Sequence, residues 1–213
     1  MPSPTGRFTI KILSLIAASM IPPMLRAATC EELSIVTLPN TEITAAQAVP
    51  AGTFTPPYGD PLDKLPAFCR VAGVSKPTSD SYIRFEVWLP ASGWNGKFLG
   101  VGNGGFAGSI DYNGLGRVLR RGYATAATDT GHEAEAEDAS WAFKHPEKIA
   151  DFGYRALHIT VGNAKTLMQA LYGRPPQHSY FDACSDGGRE ALMEAQRFPE
   201  DFDGILAGAP ANF

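Results

Sequence analysis

The stretch Tyr180–Pro199, YFDACSDGGREALMEAQRFP, constrains the fold of this chain more than any other. The run HSYFDACS, from His178, is largely apolar and ends in a Cys-Ser pair. Two glycines come almost at once, and GGREALMEAQRF then reads as a long amphipathic helix. A strand that becomes a helix within a few residues is the repeating unit of a parallel sheet covered by helices. The corner is confined, because strand and helix nearly touch there and small residues must flank the turn. Ala183-Cys184-Ser185-Asp186-Gly187 meets the small-x-Ser-x-small pattern, and Gly188 adds a further small residue. Such an elbow exposes a serine oxygen and aims the next backbone N–H, with the positive end of the helix, at one point. A serine hydroxyl is a poor nucleophile until a base takes its proton and donors hold the oxyanion, and the elbow supplies part of that arrangement. A serine that merely capped a helix would not need two glycines behind it.

The body of the chain repeats the same alternation. YIRFEVWLP alternates as a strand, and KFLGVGN is a second strand entering the loop GNGGFAG (Gly102 to Gly108). GLGRVLRRG is a short helix with Leu115, Val118 and Leu119 on one face, and YATAATDTG a third, buried strand. YRALHITVGNAKTLMQALYG carries Leu157, Val161, Ala164, Leu167, Met168 and Leu171 at helical spacing and is stopped by Gly173 and Pro175. DGILAGAPA is a further strand, while HEAEAEDASWAFKHPEKIADFG is a polar, acidic excursion. The pattern predicts an α/β fold with a mostly parallel sheet flanked by helices and an antiparallel edge made by the opening strands. Residues 29–80, with PAGTFTPPYGDPLDKLP, read as a loop-rich N-terminal arm, and 81–213 as the body. Ligands of such sheets bind where loops leave the carboxyl ends of strands, so GNGG, DTGH and CSDGG are expected together. The oxyanion donors expected there are the N–H of Asp186 and that of Asn103 or Gly104.

Residues 1–28 read as an export signal. Arg7 and Lys11 precede the apolar ILSLIAASMIPPML, and RAATC offers small residues for cleavage near Ala27 or Ala28. Two prolines interrupt the apolar run, which is short for a membrane span. Loss of this segment removes Arg7, Lys11 and Arg26 and no acid, which takes the formal charge from −4 to −7. The expected product is an acidic secreted or periplasmic protein with no membrane span. Without a basic cluster, nucleic acid is not an expected partner. Export favours paired cysteines. Cys30 and Cys69 bracket the Pro-rich stretch, which a disulfide would anchor, and this leaves Cys184 either as a buried free thiol or with a partner outside the chain.

CSDGGREALMEAQRFPEDFDGILAGAPA resembles the nucleophile region of the tannase and feruloyl esterase family, which includes the terephthalate monoester hydrolase of plastic-degrading bacteria. WNGKFLGVGNGGFAG, GYATAATDTGH and DFGYRALHITVGNAKTL resemble its earlier segments, so the likeness covers nearly all of 81–213, and Cys30 and Cys69 match its early cysteines. The resemblance implies an α/β-hydrolase-type fold and a serine carboxylic ester hydrolase working through an acyl-enzyme on Ser185. Its implied substrates are small aromatic esters, hydroxycinnamoyl ahead of galloyl. It assigns oxyanion N–H groups to Asp186 and the Gly102–Gly105 loop. It also implies a disulfide from Cys184 to a cysteine directly before the catalytic histidine. No cofactor is implied for the chemistry, only a structural Ca²⁺ in a lid.

In that family the lid, the catalytic Asp and the Cys-His pair follow the strand that ends here at AGAPANF. The chain is therefore expected to be the N-terminal part of a longer esterase, truncated before the lid and the last strands. The alternative is a truncated, non-catalytic fragment. His132, His145, His158 and His178 all precede Ser185, and only His132, after the third strand, is placed near the expected site. Asp129 is expected to brace loops, Asp201 and Asp203 to sit in turns, and the acidic run Glu133–Asp138 to be solvated rather than metal-binding.

Overall fold

A computed structural model describes Met1 and residues 27–211. The expected export signal therefore lies almost wholly outside the described residues. Nine strands are present among them: β1 (Thr41–Val49), β2 (Gly52–Phe54), β3 (Leu62–Leu65), β4 (Phe68–Ser75), β5 (Ile83–Pro90), β6 (Lys97–Val101), β7 (Ala124–Thr128), β8 (His178–Cys184) and β9 (Gly204–Gly208). The α-helices are α1 (Tyr112–Leu119), α2 (Pro146–Ala150), α3 (Ala156–Tyr172) and α4 (Asp186–Arg197). Seven strands form one sheet in the order β1-β4-β5-β7-β6-β8-β9, and β2 and β3 make a separate hairpin. β1, β4, β5 and β7 pair antiparallel in turn, whereas β7, β6, β8 and β9 are parallel. An antiparallel edge is present as expected, but it is built by β1, β4 and β5 rather than by a hairpin of the strands YIRFEVWLP and KFLGVGN: β5 and β6 do not pair, because β7 lies between them.

The arm is where the expectation fails. Residues 29–80 are not mainly loop: they supply β1 and β4, and β4 is buried along most of its length. β4 (FCRVAGVS) sits between proline-containing segments, whose turn chemistry masks its short apolar run. β1 (TEITAAQAV) lies at the sheet edge, where half-exposed small and polar residues give a weak alternation. The expected disulfide between Cys30 and Cys69 is formed, with Cα atoms 5.5 Å apart, and ties the short 3₁₀ turn Glu31–Ile35 to β4.

Two apolar cores sandwich the sheet. On one face Leu157, Val161, Ala164, Leu167 and Met168 of α3 and Ala191 of α4 pack on Phe85, Val87, Phe98, Ala126 and Phe181. On the other, Leu115, Val118 and Leu119 of α1, with Leu62 and Leu65 of the hairpin, pack on Phe68, Trp88, Leu99 and Val101. Successive sheet residues such as Val87 and Trp88 thus serve opposite cores, as strand geometry requires. Truncating Leu115, fully buried between α1 and the sheet, is worth about 2–5 kcal/mol at such a site. Glu86, also buried in the second core, accepts from Arg70, from Trp88 Nε1 at 3.0 Å and from Tyr112 Oη at 3.2 Å, so its charge is paired and its oxygens are satisfied. α3 ends on Gly173, whose φ of 69° is the left-handed conformation a helix stop requires.

From β6 the chain crosses through α1 to β7 on one side, then returns through α3 to β8 on the other. The connections leave β6 and β8 in opposite senses, and a crevice opens at their carboxyl ends, as it does at the switch point of an open α/β sheet. The glycine loop follows β6 and the serine elbow follows β8.

Candidate active site

The elbow is strained in the way its sequence implied. Ser185 has φ 62° and ψ −119°, a conformation that non-glycine residues adopt only where the surroundings impose it. Here its N–H donates to Gly208 C=O at 3.0 Å, and its own C=O accepts from Arg189 N–H (3.1 Å) and Ala211 N–H (3.0 Å). The hydroxyl makes no capping bond and Ser185 is exposed, so it does not serve as a helix cap. The glycines are explained by contact distance. A Cβ on Gly187 would lie 2.5 Å from Ala183 Cβ and 3.0 Å from Asn103 O, and one on Gly188 would lie 2.4 Å from Gly208 O.

The glycine loop is fastened to this corner. Gly187 N–H donates to Asn103 C=O at 2.8 Å. Asn103 N–H donates to Glu190 Oε2 at 3.0 Å, and Asn103 Nδ2 donates to Glu190 Oε1 at 3.1 Å and to Thr128 C=O at 3.2 Å. Of the two loop N–H groups expected as oxyanion donors, Asn103's is therefore already engaged. Gly104 N–H and Asp186 N–H, the latter at the first position of α4, have no acceptor among the described residues. A polar cleft of about 280 Å³ lies here, lined by Gly102, Asn103, Gly104, Asp182, Ala183 and Cys184 among others.

Two residues that belong to no catalytic motif, Glu190 and Arg189, organise the back of the site. Glu190 is fully buried, and burial, reinforced by the charge of Asp186, raises its carboxyl to about 7 against the lowering effect of the Asn103 bonds. Arg189 Nε donates to Asp186 Oδ1 at 2.6 Å. Its Nη atoms reach the carbonyls of Gly153 (3.0 Å) and Phe152 (3.1 Å), and the guanidinium lies 4.2 Å above the Phe152 ring. The spacing of the acids on α4 was legible in the sequence, but their burial was not. Asp186, Glu190 and Glu194 recur at i, i+4, i+8 on the same face as Gly187 and Ala191, and that face is the buried one.

The histidines are placed elsewhere. His132 is buried, its Nε2 bonded to Phe106 O at 2.7 Å and its ring stacked 3.8 Å from Trp141, so it braces the glycine loop. Burial holds its pKa below the usual imidazole value. His158 Nδ1 meets Asp201 at 2.6 Å and stacks on Phe198, and His145 Nδ1 meets Asp80 at 3.0 Å. His178 opens β8 at its far end, 4.0 Å from Asp203. None of the four lines the cleft or bonds to Ser185. Asp129 does brace loops, accepting from Arg84 N–H and Gly131 N–H, and burial raises its pKa to about 7. Cys184 is a free thiol and is exposed among the described residues. Among the described residues no group of three or more His, Cys, Asp and Glu side chains is arranged to hold a metal ion. No helix there is long and apolar enough to cross a membrane.

The sequence profile of the tannase and feruloyl esterase family matches residues 69–213. An uncharacterized esterase of Xanthomonas campestris pv. campestris is 53% identical over 206 residues, covering 97% of this chain and 36% of that protein. A probable feruloyl esterase B-2 of Aspergillus flavus is 40% identical over 170 residues, covering 76% and 32%. The crystal structure of feruloyl esterase B from Aspergillus oryzae superposes with a TM-score of 0.79 at 35% identity, over 85% of this chain and 36% of that one. The chain thus spans about a third of the length of the relatives it matches. With the sheet order, the strained serine elbow and the profile match in agreement, the chain belongs to the tannase and feruloyl esterase family.

Proposed function

We propose that the protein containing this chain is an exported carboxylic ester hydrolase in which Ser185 is the nucleophile. The observation that carries this reading is the exposed, strained Ser185 on an elbow that is bonded to the glycine loop, with the N–H groups of Asp186 and Gly104 free of acceptors among the described residues. Ser185 Oγ attacks the ester carbonyl and gives its proton to a base. The carbonyl oxygen becomes an oxyanion held by the two N–H groups at the positive end of α4. Collapse expels the alcohol and leaves an acyl-serine, which water cleaves to the free acid, regenerating the hydroxyl. In this reading the base and its orienting carboxylate are not among the described residues, since all four histidines have other partners. Aromatic esters are the substrate class, with hydroxycinnamoyl preferred to galloyl. The relatives named feruloyl esterases support this. The Cys30–Cys69 disulfide supports export.

The test uses the polypeptide of the complete reading frame, assayed with methyl ferulate and methyl gallate. Ser185→Ala is expected to lower kcat by about 10⁴-fold or more, as loss of a serine nucleophile does. A p-nitrophenyl phosphonate should label the Ser185 peptide, detected by mass spectrometry. Hydrolysis that survives in Ser185→Ala, or label on another residue, overturns the reading. Cleavage of methyl gallate alone overturns the substrate preference. Residues 1–213 by themselves are expected to be inactive.

A further inference from the structure

Glu190 has a position that a packing role does not explain. It lies one turn into α4 from Asp186, fully buried, and both of its carboxylate oxygens receive hydrogen bonds from a single residue, Asn103. The adjacent cation, Arg189, is directed to Asp186 and to two carbonyls of the Asp151–Arg155 turn, so no ion pair offsets Glu190. An apolar side chain of similar size would avoid the desolvation cost of a buried carboxylate. What the carboxylate adds is direction. Asn103 is gripped from both sides by one helix, its C=O by Gly187 N–H and its N–H and Nδ2 by Glu190. The approach is close enough that a Cβ on Gly102 would lie 2.8 Å from Glu190 Oε2, so the loop carries a glycine there. Gly104 is the next residue after Asn103.

We propose that Glu190 is a positioning residue: through Asn103 it fixes the glycine loop so that Gly104 N–H and Asp186 N–H act as a rigid pair on the oxyanion. This rests on the assignment of Ser185 as nucleophile. α4 carries one donor at its first residue and, one turn later, the anchor of the other. The spacing of the pair is thus a property of one helix rather than of a flexible loop, which is the preorganisation that oxyanion stabilisation needs.

The experiment is a graded series in the full-length enzyme, with active sites counted by phosphonate titration so that only folded protein is compared. Glu190→Leu keeps the volume and loses both bonds. Its kcat is expected to fall about 100-fold, the scale of one misplaced oxyanion donor, with KM changed less than about 3-fold. Glu190→Gln keeps an acceptor for Asn103 N–H but opposes Nδ2 with an NH₂ group, and is expected to recover kcat to within about 10-fold of the parent. A residue that only supports the fold would change the unfolding midpoint and the yield of active sites, leaving kcat per site equal across Glu, Gln and Leu. That result overturns the proposal, as does a KM that rises in step with the loss of kcat. If Glu190→Leu yields no folded protein, Glu190→Gln decides alone, since kcat per site equal to the parent's refutes the clamp. Ser185→Ala is run alongside. Its continued activity would show that the nucleophile assignment has failed, an outcome distinct from a flat Glu190 series in an enzyme that depends on Ser185.

Discussion

Replacing Gly187 with alanine should be among the most disruptive single-methyl additions in this protein, and the structure gives its size. The new Cβ would stand 2.5 Å from Ala183 Cβ and 3.0 Å from Asn103 O. Carbon atoms pack at about 3.5–4.0 Å, so β8 and α4 must separate by about 1 Å at their junction. Overpacking of this kind costs about 1–3 kcal/mol, and losing the Gly187 N–H bond to Asn103 C=O adds about 1 kcal/mol. The helical preference of alanine over glycine returns at most about 1 kcal/mol, leaving a net loss of about 1–3 kcal/mol. Gly162 provides the control. It is exposed within α3, and a Cβ there meets nothing within 4 Å, so Gly162→Ala should gain about 0.5–1 kcal/mol. Urea unfolding followed by tryptophan fluorescence reads both. The same chemical change should move the midpoint in opposite directions, and Gly187→Ala should also impair hydrolysis by displacing the elbow from the glycine loop. A Gly187→Ala protein as stable as Gly162→Ala would refute the close-approach argument.

Other outcomes follow from buried charge and from the cross-link. Glu194 is buried on α4 with Oε2 unpartnered, and burial together with the charge of Asp201 raises its carboxyl well above the ordinary value. A raised carboxyl favours the folded state below its unfolded value and loses that advantage as pH rises through the folded value. Glu194→Gln should therefore be more stable than the parent by about 1–3 kcal/mol at pH 9 and about equal to it at pH 4. A stability difference that is the same at both pH values would contradict the burial argument. The Cys30–Cys69 bond closes a loop with a sequence separation of 39 residues, and chain-entropy reasoning values such a cross-link at about 4 kcal/mol. The Cys30→Ala/Cys69→Ala double variant should lose stability of that order in thermal unfolding. A loss under about 1 kcal/mol would show that the N-terminal turn is held by its packing alone.

What the sequence determined by itself is local and periodic. β5 to β9, α1, α3 and α4 were legible because apolar spacing of two or of three to four residues declares an element wherever its own buried face supplies the signal. The elbow was legible because the small residues at Ala183, Gly187 and Gly188 are dictated by contacts within one strand-turn-helix unit. The tertiary structure alone decided the rest. β1 and β4 join the sheet through pairing with each other and with β5, which the weak alternation of β1 and the proline-flanked run of β4 did not announce. The direction of Asn103 N–H, into Glu190 rather than into the cleft, depends on a bond between residues 87 positions apart. Periodicity shows that α4 has two faces but not which one is buried, and here the buried face carries three acids while Leu192 is exposed. The positions of the four histidines follow the same logic. Whether a side chain serves a site or a loop is fixed by partners that folding brings from distant parts of the chain, and residue spacing carries no record of them.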